Sequence, residues 1–353
     1  MKKIEKVCSL LDELDVEAII INQKSTKIYL DALTGSGVWL VLTKDRNYQI
    51  MDGRYEVAAK PFTNRYENVV TLQGGVFKGV LQWIKDNGVK KIAVESEIPY
   101  SQYHSIDNLC EIVPLNDSIP LIRAVKDKKE IELVQNACSI TDRIFTELIK
   151  KIKIGMTEKE VVGQVFKLVY DFGAEGVSFD PVISSGARTA MPHGRATDRI
   201  IRKRDFLLLD FGIVKDGYQS DMTRTVSVGE LTDQFKNIYQ TLLPIQQATI
   251  QEFVPNKLGK EIHSFAAEKI SEAGYGEYFT HGLGHGLGIG GGERPLMNAT
   301  SEDVLRPGMI GTCEPGIYIP DVGGIRIEDD VLVTSDKPIS LSKTTHKMLV
   351  VGK

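Results

Sequence analysis

The stretch that most restricts the fold of this 353-residue sequence is residues 281–295, which read HGLGHGLGIGGGERP. Seven of the twelve residues from His281 to Gly292 are glycines. Glycine permits positive φ and close approach of another molecule to the backbone. The stretch lacks the GxxxxGKS/T arrangement of a phosphate-binding loop. We therefore expect a loop against which a substrate lies, and one imidazole of this loop, that of His285, as a metal ligand.

Before this stretch, Asp210 and Asp221 lie on either side of a predicted hairpin. The turn signal Lys215-Asp216-Gly217 stands between them, and the two aspartates are equidistant from the midpoint of Lys215 and Asp216. If the chain folds back at this turn, Asp210 and Asp221 should lie opposite each other on the two strands, or within one residue of that position. Cross-strand neighbours have Cβ atoms roughly 4.5 to 5.5 Å apart, a separation that a metal ion can bridge.

After the stretch, Glu314 and Glu328 repeat this arrangement. They are mirror partners about Asp321, the middle of the turn PDVGG at residues 320–324. Like charges that face each other destabilise a sheet, and both acidic pairs stand in otherwise apolar runs. We therefore expect a positively charged species between them.

One imidazole and four carboxylates form a ligand set typical of two divalent metal ions. Such donors suit manganese, cobalt, iron or zinc, and carboxylate bridges favour two ions roughly 3.5 to 4 Å apart. Alternatively, the carboxylates face water or pair with Arg224 and Arg326. That alternative is reasonable for one hairpin alone, but less so for two hairpins with a histidine-bearing loop between them. His193, in the segment Pro-His-Gly, has no clear role from its own sequence context.

The composition restricts the partners and the compartment. A net charge of -4, with 25% charged and 42% hydrophobic residues, is ordinary for a soluble globular protein and lacks the basic excess of nucleic-acid binding. Acidic residues interrupt the N-terminal segment, which argues against a secretory signal. No segment approaches the roughly 20 apolar residues of a membrane span. The four cysteines form no CxxC pair, so we expect free thiols in a cytoplasmic protein.

The length predicts two domains. Apolar runs such as Val69 to Leu72 alternate with helical patterns in residues 1–122, which predicts an α/β domain with a central sheet. Pro114 to Pro120 is interpreted as a loop that leaves this domain. Residues 123–353 form the predicted second domain, which begins with a long helix.

The second domain repeats its own plan of helix, helix and hairpin. We predict one copy with helices to about Ile152 and from Thr157 to Phe172, and another with helices from Thr232 to Phe253 and from Leu258 to Ala273. Pro244 lies inside one of these helices and predicts a kink or a break. The pattern indicates an α+β domain with pseudo-twofold symmetry.

Six motifs stand in order along this domain: PHG at 192–194, DFG at 210–212, DMTRT at 221–225, HGLGHG at 281–286, EPGIY at 314–318 and RIE at 326–328. Together they resemble the motifs of the metal-dependent peptidases with the pita-bread fold, family M24. They are most similar to the proline-specific branch, Xaa-Pro dipeptidase (prolidase) and aminopeptidase P. The first domain resembles the creatinase-type N-terminal domain. The resemblance implies a homodimer that hydrolyses the bond before proline in short peptides.

The resemblance also implies roles for individual residues. Two divalent ions, with manganese expected first and cobalt, zinc or iron as alternatives, would bind Asp210, Asp221, His285, Glu314 and Glu328. His193 would contact the scissile carbonyl oxygen, and Glu314 would carry a proton from water to the leaving nitrogen. The substrate pocket and the shell around the ligands would include Phe179, His281, Tyr318 and Arg326.

Gly292 departs from the family pattern. Members of the family generally carry a second catalytic histidine in a His-Glu-x-Pro motif seven positions after the metal-binding histidine. Here Gly292 holds that position, while Glu293 and Pro295 keep the frame. Loss of an oxyanion donor costs on the order of 10² to 10³ in kcat. Three functions therefore stay open: an Xaa-Pro peptidase, a hydrolase of another peptide or C–N bond, and a metal-binding relative without catalysis.

Overall fold

A six-stranded sheet forms the centre of the first of two units, Met1–Arg123 and Ala124–Lys353. The structure is a computed structural model that describes residues 2–71 and 74–352; Leu72, the end of one predicted run, lies outside them. The strands are β1 (Ala18–Ile21), β2 (Val38–Leu42), β3 (Asn47–Asp52), β4 (Glu67–Thr71), β5 (Lys91–Val94) and β6 (Glu111–Pro114), in the order β4-β3-β2-β1-β5-β6.

Helices are interspersed with these strands along the chain. They are α1 (Lys3–Cys8), α2 (Leu10–Glu13), α3 (Lys24–Tyr29), α4 (Glu56–Ala59), α5 (Val76–Asp86), α6 (Tyr100–Asp107) and α7 (Ser118–Ala124). In α5, Val80, Trp83 and Ile84 are buried in a cluster with Trp39 and Ile50 of the sheet. This spacing places them on one helix face.

The predicted loop from Pro114 to Pro120 is wrong. Pro114 ends β6, and α7 begins at Ser118. Pro120 lies in the first turn of α7, where a backbone N–H needs no helical acceptor, so proline is tolerated there.

Two pairs of helices form the outer layer of the second unit. They are α8 (Lys128–Lys151), α9 (Glu158–Asp171), α10 (Asp233–Ile250) and α11 (Gly259–Glu272). Thr157 caps α9 by accepting the N–H of Glu160, so the helix begins where the sequence predicted. Of the kink or break predicted at Pro244, the break is wrong, because α10 continues through this residue. Leu242 and Gln246, on either side of it, are both buried and hold the two halves in the core.

Short strands form the inner layer of this unit. They are β7 (Gly176–Val177), β8 (Val182–Ser185), β9 (Phe206–Asp210), β10 (Ile213–Lys215), β11 (Tyr218–Gln219), β12 (Thr223–Val228), β13 (Gly284–Gly286), β14 (Glu293–Met297), β15 (Ile310–Cys313), β16 (Gly316–Ile319), β17 (Gly323–Arg326), β18 (Asp329–Leu332), β19 (Ile339–Ser340) and β20 (Val350–Val351). The sheets have the orders β20-β12-β9-β8, β14-β13-β15-β18-β19, β11-β10-β7 and β16-β17. Helices α8 and α9 precede the β9–β12 hairpin, and α10 and α11 precede the β15–β18 hairpin, so the predicted repeat of helix, helix and hairpin is confirmed.

Among the described residues, none of the helices is both long enough and apolar enough to cross a membrane. The four cysteines are free thiols, and Cys110, Cys138 and Cys313 are buried.

Candidate metal centre

The first acidic pair is carried by the β9–β12 hairpin. Its turn is centred on Asp216 and Gly217, whose φ angles are 50° and 76°. A two-residue turn of type I′ needs positive φ at both positions, and aspartate and glycine are among the residues that adopt it. The turn therefore lies one residue later than predicted, and Asp210 pairs with Thr223. The predicted pairing with Asp221 is wrong by two residues. Side chains two residues apart share a face, so Asp221 is the diagonal neighbour of Asp210.

The second acidic pair has the predicted register. The β15–β18 and β16–β17 ladders both place residues opposite each other that are symmetric about residue 321. Glu314 and Glu328 stand between these two ladders and therefore face each other. Asp321 adopts a φ of 61°, which suits the turn that joins the strands.

Three carboxylates from both hairpins converge. Oxygen atoms of Asp210, Asp221 and Glu328 lie within 4.8 Å of one another, and all three residues are buried. Oδ1 of Asp210 and Oδ1 of Asp221 have no hydrogen-bond partner in the described part of the chain. Burial and the neighbouring carboxylates raise the pKa of Asp221 and of Glu328 well above the ordinary range. Unpaired buried oxygens of this kind fit a bound cation.

His285 and Glu314 extend the carboxylate cluster. Nε2 of His285 lies 3.8 Å from Oδ2 of Asp221 and 3.8 Å from Oε1 of Glu314. Nδ1 of His285 lies 3.1 Å from the carbonyl oxygen of Gly286. Nδ1 also lies 3.3 Å from the backbone nitrogen of Gly292, whose N–H donates to it when Nδ1 carries no proton. When Nε2 binds a cation, the proton is on Nδ1 and faces the Gly286 carbonyl, and the Nε2 lone pair is directed toward the carboxylates. The hydroxyl of Thr312 donates to Oε1 of Glu314 at 3.0 Å.

Arg326 supplies positive charge beside the cluster. Its Nη2 donates to Oδ2 of Asp210, so the ion pair raised as an alternative does form. Burial nevertheless raises the pKa of Asp210, against the opposing effects of Arg326 and His193. One guanidinium faces four carboxylates, which leaves a net negative charge for metal ions to neutralise.

Thr223 connects Arg326 to Glu328, a contact that the sequence analysis missed. Its hydroxyl donates to Oε2 of Glu328 at 2.6 Å and accepts from Nε of Arg326 at 3.0 Å. The residue lies inside the DMTRT motif, two positions after Asp221. Side-chain alternation along that strand was the signal that could have identified it.

Tyr318 and His281 form a second chain of hydrogen bonds behind the cluster. The Tyr318 hydroxyl accepts from Nη1 of Arg326 at 2.7 Å and lies 2.9 Å from Nε2 of His281. Nδ1 of His281 lies 2.7 Å from the carbonyl oxygen of Gly282. The imidazole therefore carries its proton on Nδ1 and accepts the Tyr318 hydroxyl at Nε2. Burial, with a smaller contribution from Arg326, lowers the pKa of His281 to about 4, so the ring is neutral at neutral pH.

A cavity of about 630 Å³ opens onto the carboxylates. Among the residues that the sequence predicted, its wall contains Phe179, His193, His281 and Arg326, whereas Tyr318 lies behind Arg326. Residues of the wall that the sequence analysis did not predict include Ser178, Val182 and Asn298. A small-molecule site typically has a volume of about 300 to 1,000 Å³, so the cavity is large enough for a short peptide.

Gly292 also lines this cavity. It has a φ of 72°, and among the described residues no atom beyond Gly292 and its two chain neighbours lies within 4 Å of the position that a Cβ would take. The next residue, Glu293, holds the glycine-rich loop: Oε1 accepts the N–H groups of Ile289 and Gly290 at 3.1 and 2.8 Å. Oε2 of Glu293 pairs with the buried ammonium of Lys126 at 3.3 Å. The loop is therefore anchored while position 292 leaves open space.

Known proteins resemble this chain over its whole length. A family model described as Metallopeptidase family M24 matches residues 132–335, and one described as Creatinase/Prolidase N-terminal domain matches residues 3–125. The Xaa-Pro dipeptidase of Pyrococcus horikoshii is 34% identical, with 99% of each chain covered. The structure of Xaa-Pro dipeptidase from Bacillus anthracis is similar with a TM-score of 0.94, 35% identity and 99% of both chains covered. X-Pro aminopeptidase from Thermotoga maritima has a TM-score of 0.88 and 32% identity, covering 96% of this chain and 99% of that one.

Proposed function

The chain belongs to metallopeptidase family M24, with a creatinase-like N-terminal domain and the pita-bread fold, and we propose that it hydrolyses the peptide bond before proline in short peptides. The observation that carries this proposal is the buried convergence of Asp210, Asp221 and Glu328. The similarity to Xaa-Pro dipeptidases over 99% of the chain supports the choice of substrate.

Five residues form the proposed ligand set for two divalent ions: Asp210, Asp221, His285, Glu314 and Glu328. Their fit is supported by the unpaired Oδ1 atoms of Asp210 and Asp221 and by the Nε2 lone pair of His285. Carboxylate and imidazole donors suit manganese, which we propose first, with cobalt, zinc or iron as alternatives. When bound, such ions supply the Lewis acidity that brings the pKa of water from 15.7 toward about 7.

Glu314 is the proposed proton carrier of the reaction. Burial raises the pKa of its carboxyl, which favours a group that takes a proton from the attacking water and gives it to the leaving nitrogen. Thr312 donates to Oε1 of Glu314 and keeps this carboxylate oriented. The proton therefore travels on a side chain that faces the cavity.

His193 and the residues of the cavity wall form the proposed substrate contacts. His193 would donate to the scissile carbonyl oxygen as negative charge develops there. Phe179 and the neutral ring of His281 would contact the substrate, while Tyr318 and Arg326 hold His281 and Asp210 in place. Gly292 leaves one side of the substrate site without an imidazole.

We further propose a cytoplasmic homodimer, with residues 1–122 as the N-terminal domain and residues 123–353 as the catalytic domain. The free cysteines support the compartment, and the family resemblance supports the dimer. Light scattering during gel filtration should give twice the 39.2 kDa of one chain.

The decisive experiment is hydrolysis by the manganese-loaded protein of Ala-Pro and Ala-Pro-Ala beside the matched peptides Ala-Ala and Ala-Ala-Ala. We expect release of alanine from the proline peptides, and loss of this activity in Asp221→Asn but not in Asp216→Asn, which changes the hairpin turn. Cleavage of a peptide library only at bonds that do not precede proline would contradict the proposed specificity. Binding of two ions without cleavage of any peptide would contradict the proposed catalysis.

A further inference from the structure

A buried carboxylate outside the proposed ligand set lies behind Asp221. Asp330 is 0% exposed and follows Glu328 by two residues, so the two side chains leave the same face of the chain. Oδ2 of Asp330 accepts the backbone N–H of Asp221 at 3.0 Å. It also accepts the thiol of Cys138 in α8 at 3.2 Å.

The backbone around Asp221 explains why a side chain must accept this N–H. Asp221 stands between β11 and β12, opposite the point where β9 ends and β10 begins. The amide of the preceding residue, Ser220, still donates to the carbonyl of Ile213 at 3.1 Å. N–H groups alternate between the two sides of a strand, so the next amide, that of Asp221, points away from β9 and β10 and donates to Asp330. A buried N–H needs an acceptor, and Asp330 provides it on that side.

Cys138 completes the arrangement from the helical layer. The residue is 1% exposed, and burial raises the pKa of its thiol well above the ordinary value. It therefore stays protonated and donates to Asp330. The two hydrogen bonds to Oδ2 hold the Asp330 side chain between α8 and the segment that carries Asp221.

We propose that Asp330 is a positioning residue that holds the metal ligand Asp221 through its backbone N–H, and that Cys138 orients Asp330. This inference rests on the proposed metal-binding role of Asp221. The carboxylate of Asp221 follows its own backbone, so a shift of that peptide displaces a ligand atom. Removing a residue that orients a ligand typically weakens metal binding about 10- to 100-fold.

Calorimetric titration of the metal-free full chain with Mn²⁺ tests the proposal. We expect Asp330→Ala to raise the Kd about 10- to 100-fold. Asp330→Asn retains an oxygen that accepts the same N–H, so its Kd should lie nearer to that of the wild type than to that of Asp330→Ala. Equal losses in the two variants would overturn the hydrogen-bond role, as would wild-type affinity in Asp330→Ala. A wild-type protein that binds no Mn²⁺ would instead contradict the proposed function.

A double-variant comparison separates positioning from a general structural role. In the Asp221→Ala background, Asp330→Ala should leave the Kd of the remaining Mn²⁺ site unchanged, because its effect passes through Asp221. The same fold-loss in both backgrounds would overturn the proposal.

Substitutions of Cys138 test whether its thiol orients Asp330. Cys138→Ala should weaken Mn²⁺ binding, and Cys138→Ser, whose hydroxyl donates, should restore it. Cys110→Ala is the matched control, since Cys110 is also buried but donates to the backbone carbonyl of Ile106. Equal Kd values for Cys138→Ala and Cys110→Ala would overturn the orienting role of Cys138.

Discussion

Replacing Arg224 with methionine should destabilise the second unit strongly. Arg224 is 2% exposed, and its Nη2 donates to Oδ1 of Asp329 at 2.7 Å and to the carbonyl of Thr344 at 2.9 Å. Its Nη1 donates to the carbonyls of Thr223 at 2.9 Å and Glu328 at 2.5 Å. One guanidinium therefore connects both acidic hairpins to the C-terminal segment.

The pKa of Asp329 sets the size of the effect. Burial opposes ionisation, but Arg224 and His346 together lower this pKa from 3.8 to about 2. At about 1.36 kcal/mol for each pKa unit, the difference corresponds to about 2 kcal/mol. Arg224→Met removes the part of this stabilisation that comes from Arg224 and leaves Asp329 as a buried charge without its guanidinium. Breaking a buried ion pair in this way costs about 3 to 5 kcal/mol.

Thermal unfolding measures the loss. For a unit of this size, 1 kcal/mol shifts the midpoint by about 2 to 4 °C, so we expect a fall of about 6 to 20 °C. Lys159→Met is the control, because the Lys159–Asp198 pair is 59% and 82% exposed and contributes about 0 to 1 kcal/mol. The folded-state pKa of Asp329 is lowered, so its contribution is complete above pH 3.8 and is lost as the pH falls toward about 2.

Two results would refute this reasoning. Equal midpoints for Arg224→Met and Lys159→Met would show that the buried pair does not stabilise the unit. The double variant Arg224→Met/Asp329→Leu removes the uncompensated charge and should regain part of the lost stability. A double variant as unstable as the sum of its two single variants would show that the cost does not come from that charge.

Further predictions concern the cavity and its ligands. Gly292→His should raise kcat for Ala-Pro-Ala on the order of 10²-fold. Gly292→Ala is the control, because it places a side chain at the same positive φ without adding an imidazole, and it should not raise kcat. Chelation should abolish hydrolysis, and Mn²⁺ at about 100 times its Kd should restore activity and add about 2.7 kcal/mol of stability for each site. Thr223→Val should weaken Mn²⁺ binding about 10- to 100-fold in calorimetry, while Thr223→Ser should retain it, because the serine hydroxyl also reaches Glu328. The melting midpoint should fall as the pH drops from about 6.5 to about 4, because only the unfolded chain binds a proton at His281 in that range. The fall should be smaller in His281→Asn, which has no imidazole at this position.

Much of the candidate site could be predicted locally. Glu314 and Glu328 face each other because their turn is symmetric about Asp321, and the register follows from that symmetry alone. The first hairpin shows the limit of this reasoning. Its turn is centred on two residues with positive φ, Asp216 and Gly217, and an error of one residue in the turn moved the cross-strand partner of Asp210 by two.

By itself, the sequence determined which donor atoms are available and which hairpins and helices present them, because both follow from residue types and short-range periodicity. Only the tertiary structure decided what stands behind those donors. Cys138 and Asp330 are 192 residues apart in the chain, and Arg224 meets Asp329 across 105 residues. These contacts exist because the helical layer and the C-terminal segment pack against the strands. Side chains separated by that length of chain share no local pattern, so the positioning of Asp221 became apparent only in the folded protein.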